Sequence, residues 1–214
     1  MVLQPPCEGK ILLHACCAPC SGAIVECMVR SGFKPVIFWS NSNIYDRKEY
    51  ELRRAEMLRY AAQYGLEVVD DDYDHPAWLE TVRGLEREPE RGKRCLQCFR
   101  YRLERAARYA AANGFSILTT TLASSRWKDK EQVNAAGRAA LAAINSAGPD
   151  PVWWDQDWRK GGLQIRRSEI IREQNFYNQT FCGCDFSKLQ QVESRGQAGH
   201  HDADHAHQLD QDVQ

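Results

Sequence analysis

Residues 11–20 read Ile-Leu-Leu-His-Ala-Cys-Cys-Ala-Pro-Cys, a short apolar run that stops at three cysteines. The run has the length of a buried strand, and Pro19 suits the first turn of a helix, where a missing N–H is no loss. A strand running straight into a helix puts Cys16, Cys17 and Cys20 on the turn between them. In an open α/β sheet that turn lies outside the carboxyl end of the strand, where such sheets bind their ligands.

The chain then repeats the pattern. A short helix over about 23–29 is closed by Ser31-Gly32, and 34–39 reads as a second strand. Tyr50, Met57, Leu58, Ala61 and Tyr64 fall at helical spacing over 47–64, and Gly65 stops that helix. A third strand is expected over 66–69 and a fourth over 116–121. Strands separated by helices need crossover connections, which makes the sheet parallel. The expected class is α/β: an open, mainly parallel sheet with flanking helices. The run Asp70-Asp71-Asp72-Tyr73-Asp74 lacks the alternating spacing of a calcium loop and reads as a solvated strand end. One domain is expected over residues 1–190. From 191 to 214 the chain is polar, aromatic-free and rich in His and Asp, which reads as a disordered acidic tail.

No apolar stretch has the length of a signal-peptide core or a membrane span, so a cytoplasmic location is expected. Nine cysteines in a reducing compartment point to metal binding or redox work rather than a disulfide framework. Cys95-Leu96-Gln97-Cys98 opens a helix expected over about 95–112. At 100° per residue, Leu96, Phe99, Leu103, Ala106, Ala107 and Ala110 form its core stripe, with Cys95, Cys98, Arg102 and Arg105 on a neighbouring face. In a first turn the helix dipole favours thiolate over thiol. Pairing Cys95 and Cys98 with Cys16 and Cys17 gives four thiolates, provided the backbone turns between the adjacent cysteines. Four thiolates suit structural zinc or a 4Fe-4S cluster, and ligand softness does not choose between them. Cys182-Gly183-Cys184 is a further dithiol or metal-binding pair, while Cys7 and Cys27 stand apart.

Basic and aromatic residues flank these groups: Arg91, Lys93 and Arg94; Arg126-Trp127-Lys128; Trp158-Arg159-Lys160. Residues 1–190 carry 27 basic against 24 acidic side chains, so clusters matter more than net charge. Cations interleaved with aromatic rings suit the phosphates and unstacked bases of a single-stranded RNA loop. Arg94, Arg126, Trp127, Arg159 and Lys160 are the candidates for RNA contact.

Taken in order, several motifs resemble the QueH family of epoxyqueuosine reductases over roughly residues 10–188. They are Leu12-Leu13-His14-x-Cys16-Cys17-Ala18-Pro19-Cys20; Asn43-Ile44 with Glu49-Tyr50-x-x-Arg53; Cys95-x-x-Cys98-x-x-Tyr101-Arg102-Leu103; Thr119-Thr120-Thr121-Leu122 with Ser125 and Lys128; Arg159-Lys160-Gly161-Gly162; and Cys182-Gly183-Cys184. The resemblance implies a fold similar to the adenine-nucleotide hydrolase-like (HUP) type. Cysteines replace its Ser-Gly-Gly-x-Asp-Ser phosphate loop, so ATP chemistry is not expected. It also implies reduction of epoxyqueuosine to queuosine at the wobble position of tRNA, with the anticodon loop and an unidentified electron donor as partners. On the same basis, Cys16, Cys17, Cys95 and Cys98 are the ligands of a 4Fe-4S cluster, and Cys182 and Cys184 are a redox-active pair. Ser42 and Asp46 depart from the family pattern, standing where it has prolines.

Removing an epoxide oxygen takes two electrons and two protons and releases water, whereas a 4Fe-4S cluster passes one electron at a time. Cys20, Cys182 and Cys184 are therefore expected either to hold an additional mononuclear iron or to supply a dithiol electron pair. Asp185 and Lys128 are candidate proton donors by adjacency. Two other classes share part of the pattern. A zinc-stapled RNA-binding module uses the same four thiolates without catalysis. A thioredoxin-like dithiol oxidoreductase uses Cys17-Ala-Pro-Cys20 but leaves Cys95, Cys98, Cys182 and Cys184 without a role.

Overall fold

The computed structural model describes residues 2–144 and 150–192. Its five strands form one parallel sheet: β1 Ile11–His14, β2 Val36–Trp39, β3 Val68–Asp70, β4 Ile117–Thr120 and β5 Val152–Trp153, in the spatial order β3-β2-β1-β4-β5. Helices α1 Ala18–Arg30, α2 Arg47–Gln63, α3 His75–Thr81, α4 Lys93–Ala112, α5 Lys130–Ala142 and α6 Leu163–Glu173 connect and flank them, with a 3-10 turn at Thr121–Ser124. A helical stretch over 185–192 ends the described part. It takes in Gln191 and Val192, where the tail was expected to begin, and residues 193–214 lie outside the described residues.

β1 holds the centre. Leu12 lies between Val36 of β2 and Leu118 of β4, and all four residues of the strand are buried. A strand covered on both faces is apolar throughout rather than alternating, which is how 11–13 reads. The chain builds outward from β1 to β3 and then returns to place β4 on the other side. That reversal leaves a crevice at the carboxyl ends of β1 and β4. The cysteine turn after β1 and the Thr121–Ser124 turn after β4 meet there, joined by the Cys16 N–H, which donates to Thr121 Oγ1 at 3.1 Å. Met28, Leu12, Leu13, Ile24 and Ile37 are fully buried. Each such side chain contributes roughly 1.5–3 kcal/mol relative to exposure.

The positions that depart from the family pattern have their own local bonds. Asp46 caps α2, its Oδ1 accepting from the N–H groups of Lys48 at 2.9 Å and Glu49 at 3.2 Å. Ser42 Oγ accepts the N–H of Asp74 at 3.1 Å, tying the 40–47 turn to the start of α3. The Asp run is not simply solvated, contrary to the sequence expectation. Asp71 is 13% exposed at its side chain, receives the Ser40 hydroxyl at 2.5 Å and pairs with Arg105 at both oxygens. It thereby binds α4 to the β2–β3 side of the sheet.

Candidate active site

The backbone leaves β1 at His14, and α1 begins at Ala18 with Cys17 as an extended N-cap and Pro19 in its first turn. This conformation supplies the bend that lets adjacent cysteines converge. The sulfurs of Cys16, Cys17 and Cys20 all lie within 4.8 Å of one another, and those of Cys16 and Cys17 are 3.9 Å apart. Hydrogen bonds from Cys17 and Cys20 hold the Cys16 thiol well below its ordinary range, with help from the nearby Lys128 and Arg102. The same sharing raises Cys17 well above its ordinary value, and contact with Cys16 pushes Cys20 up to about 11. Within the trio the shared bonds favour the thiolate at Cys16 over Cys17 and Cys20. Around it, the Thr121 hydroxyl donates to Cys16 Sγ at 3.4 Å, and Gln179 Nε2 donates to Cys17 Sγ at 2.8 Å.

The other two cysteine groups converge on the same place. A cavity of about 1100 Å³ is lined by Cys16, Cys17, Cys20, Cys95 and Cys182. Cys98 and Cys184 stand behind it, packed together with Trp78 and Val82. Burial first, then the neighbouring Cys182 and Cys98, push Cys95 up to about 11, and burial also raises Cys98. Cys95 stays in the first turn of α4, which starts at Lys93, but desolvation by burial acts against the thiolate that the helix end favours. Cys184 is likewise pushed up to about 12 by burial and by Cys182. The tightest thiol group is Cys16, Cys17 and Cys20, so Cys20 sits with the first pair rather than apart from it.

Two cations face these sulfurs. Arg102 is 2% exposed; its Nε donates to Ser40 O at 3.2 Å and its Nη2 to Asn41 Oδ1. No carboxylate pairs with it among the described residues. Beneath it His14 is fully buried and neutral, pushed down to about 3 by burial and by Arg102. Its Nε2–H donates to Ser40 O at 3.1 Å, and Nδ1 accepts from the Thr120 hydroxyl at 2.7 Å. Lys128 places Nζ 3.6 Å from Cys182 Sγ. Burial opposes its charge, yet Cys182, Cys16 and Cys20 together raise its pKa, so the ammonium persists. The helical wheel brings Arg102 onto the thiol face of α4. His14 stands in the sequence only as part of the first family motif, with no role assigned, and Gln179 carries no signal that singles it out.

The RNA candidates divide. Arg126 and Trp127 are exposed on the cavity rim. Arg94 is not available to a phosphate: it is 1% exposed, donates to Glu86 O at 2.6 Å and to Gln190 Oε1 at 3.3 Å, and lies over the Phe186 ring. Arg159 is half-buried, with its donors committed to the carbonyls of Ala123, Ser125 and Lys128. Lys160 is exposed but off the cavity, 3.9 Å from Asp157. Asp185 meets His75 Nε2 at 3.1 Å through one oxygen, and its other oxygen is buried without a hydrogen-bond partner among the described residues.

An open parallel α/β sheet whose switch-point crevice holds thiols in place of a phosphate loop defines a metal- or redox-competent member of this fold class. The family described as "Epoxyqueuosine reductase QueH" matches residues 11–190, and the chain belongs to that family. Proteins named Epoxyqueuosine reductase QueH are among its relatives. The one from Histophilus somni is 45% identical over 180 residues, covering 84% of this chain and 72% of that protein. The Haemophilus influenzae protein is 43% identical over 183 residues, with 86% and 73% covered. The one from Acinetobacter baylyi is 46% identical over 183 residues, with 86% and 82% covered. Among the described residues, no helix is long and apolar enough to cross a membrane.

Proposed function

We propose that this chain is an oxidoreductase that converts epoxyqueuosine to queuosine at the wobble position of tRNA. The observation that carries the reading is the convergence, in one cavity, of thiols from three separated parts of the chain, beside two cations that have no carboxylate partner among the described residues. A nucleotide-hydrolysing site on this fold needs a phosphate loop, and sulfur stands there instead.

The residues fit a 4Fe-4S cluster. The donor set is entirely sulfur, and Arg102 and Lys128 supply positive charge that a set of thiolates would balance. Cys16, Cys17, Cys95 and Cys98 would hold the cluster, and when bound it supplies one-electron transfer. Lys128 keeps a proton beside the Cys182 sulfur, within reach of an oxygen developing negative charge in the cavity. In our reading, Cys182 and Cys184 provide the electron pair. Their two thiols become a disulfide, both C–O bonds of the epoxide break to leave a C=C bond, and the oxygen departs with the two thiol protons as water. An external electron donor then returns the dithiol.

Protein purified anaerobically is expected to be brown, with about four or more irons and matching sulfide per chain, and to convert epoxyqueuosine in tRNA. Cys184→Ser is expected to keep the iron and lose the conversion. A colourless chain with one zinc would overturn the reading in favour of an RNA-binding zinc protein, and normal turnover by an iron-loaded Cys184→Ser variant would remove the dithiol step.

A further inference from the structure

Trp127 is 63% exposed, and among the described residues its indole stacks on no other ring. An exposed tryptophan on a loose loop would carry little meaning, but this loop is held at nearly every residue. Arg91 donates from Nε to Trp127 O at 3.1 Å and from Nη2 to Arg126 O at 2.9 Å. Arg159 donates from Nη2 to the carbonyls of Ser125 and Lys128, each at 2.7 Å. The Trp127 N–H itself donates to Ser125 Oγ at 3.3 Å. Arg91 is fixed in turn: Gln132 Nε2 donates to its carbonyl at 2.6 Å, and its backbone is left-handed, with φ of 68°. A non-glycine residue in that region is strained by about 1–3 kcal/mol and persists where the surroundings hold it there.

The held ring stands at the mouth of the thiol cavity, with the Arg126 guanidinium 4.8 Å from its centroid. Arg126 and Arg167, both on the cavity lining, have no carboxylate partner among the described residues. A rigid indole that carries a guanidinium but no second ring, beside guanidinium groups without a carboxylate partner among the described residues, fits an unstacked base with its flanking phosphates. It does not fit an apolar protein face, which would leave those charges uncompensated. We infer that Trp127 is the stacking platform for the base next to the modified nucleotide, with Arg126 taking a neighbouring phosphate. Arg91 is the positioning residue behind it. Its N–H donates to Cys95 Sγ at 3.3 Å, so the residue that shapes the platform also touches a cavity thiol. The inference rests on the tRNA reading above.

The test is fluorescence anisotropy of a labelled anticodon stem-loop RNA carrying epoxyqueuosine, titrated with the iron-loaded full chain. Trp127→Ala is expected to weaken binding about tenfold, the effect of removing one aromatic stacking partner, while Trp127→Phe recovers most of it. Arg126→Gln is expected to flatten the slope of log affinity against log salt by about 0.7. Ile165→Ala removes a comparably exposed apolar side chain away from the cavity lining and is expected to bind as the unaltered protein does. Wild-type affinity in Trp127→Ala, a Trp127→Phe variant as weak as Trp127→Ala, or a loss that sedimentation traces to a changed oligomeric state would each overturn the platform. If the unaltered protein binds this RNA through Trp127 but leaves the epoxide intact, the reductase reading fails and the platform stands. If it converts the epoxide and Trp127→Ala binds normally, the platform alone fails.

Discussion

Arg102 is a full positive charge at 2% exposure that donates to the Ser40 carbonyl and the Asn41 amide oxygen, bonds the Cys98 thiol, and has no carboxylate partner among the described residues. A buried ion without a counter-ion costs several kcal/mol, so the thiols across the cavity are part of what makes the guanidinium tolerable. The dependence runs both ways, since Arg102 also helps hold Cys16 below its ordinary range. If the thiols hold the iron–sulfur cluster proposed above, Arg102→Gln should lower iron affinity by roughly 10–100-fold, the range for residues that support metal ligands from behind, with Arg102→Lys lying between. Iron per chain after dialysis against a competing chelator reads this directly, and a Gln variant that loads iron as the unaltered protein does would sink the argument. The same residue marks how far the sequence could be read. Helical geometry put Arg102 on the thiol face, but no spacing rule shows that no carboxylate reaches it. Arg94 shows the converse limit: its partners include Gln190, 96 positions away, and only the fold brings them together.

At the level of elements, the parts legible in the sequence are those with long apolar runs and clear stops. β1, β2 and β4 have three or four buried residues each, and Gly65 and Gly114 end helices with left-handed φ values of 61° and 67°. β5 is two residues long and shows no period. α6 buries only Leu163 and Ile170 and leaves Ile165 71% exposed, so its stripe is too thin to see. Beside its backbone pairing with β4, β5 is anchored by a side chain: Trp153 lies against Gly137 of α5 and donates from Nε1 to Asn134 Oδ1 at 3.2 Å. Gly137→Ala separates two effects of opposite sign. Helix propensity alone would stabilise by up to about 1 kcal/mol. The new methyl, however, would run into the buried face of the indole, and overpacking of this kind costs about 1–3 kcal/mol. Net destabilisation is expected, read as a lower denaturant midpoint. A raised midpoint would show that the indole swings aside freely and does not fix β5.

Across the whole molecule, the seven thiols of the site are divided between a rigid part and a lightly attached one. Cys16, Cys17, Cys20, Cys95 and Cys98 sit on the sheet's central turn and on α4, whereas Cys182 and Cys184 ride on the segment 176–192. That segment packs through Phe176 and Cys184 and is otherwise fastened by polar contacts. Arg53 Nη1 donates to Cys182 O at 3.1 Å, the Tyr45 N–H donates to Gly183 O at 2.8 Å, and His75 meets Asp185. Much of its length is exposed or half-buried, while β1 is wholly buried. Regions with few buried contacts open at lower free energy than the core, so amides over 180–190 should exchange with deuterium before those of β1 and β4. Arg53 is a buried fastening, 2% exposed, paired with Glu49 and bonded to the carbonyls of Phe181 and Cys182. Arg53→Met keeps most of its bulk but removes its bonds to the segment, which should cost about 1–3 kcal/mol locally and speed exchange there roughly 5- to 150-fold. Exchange in β1 should stay the same. If the β1 amides accelerate in step with those of 180–190, the segment opens only with the whole fold, and the five core thiols would never be parted from the other two without unfolding.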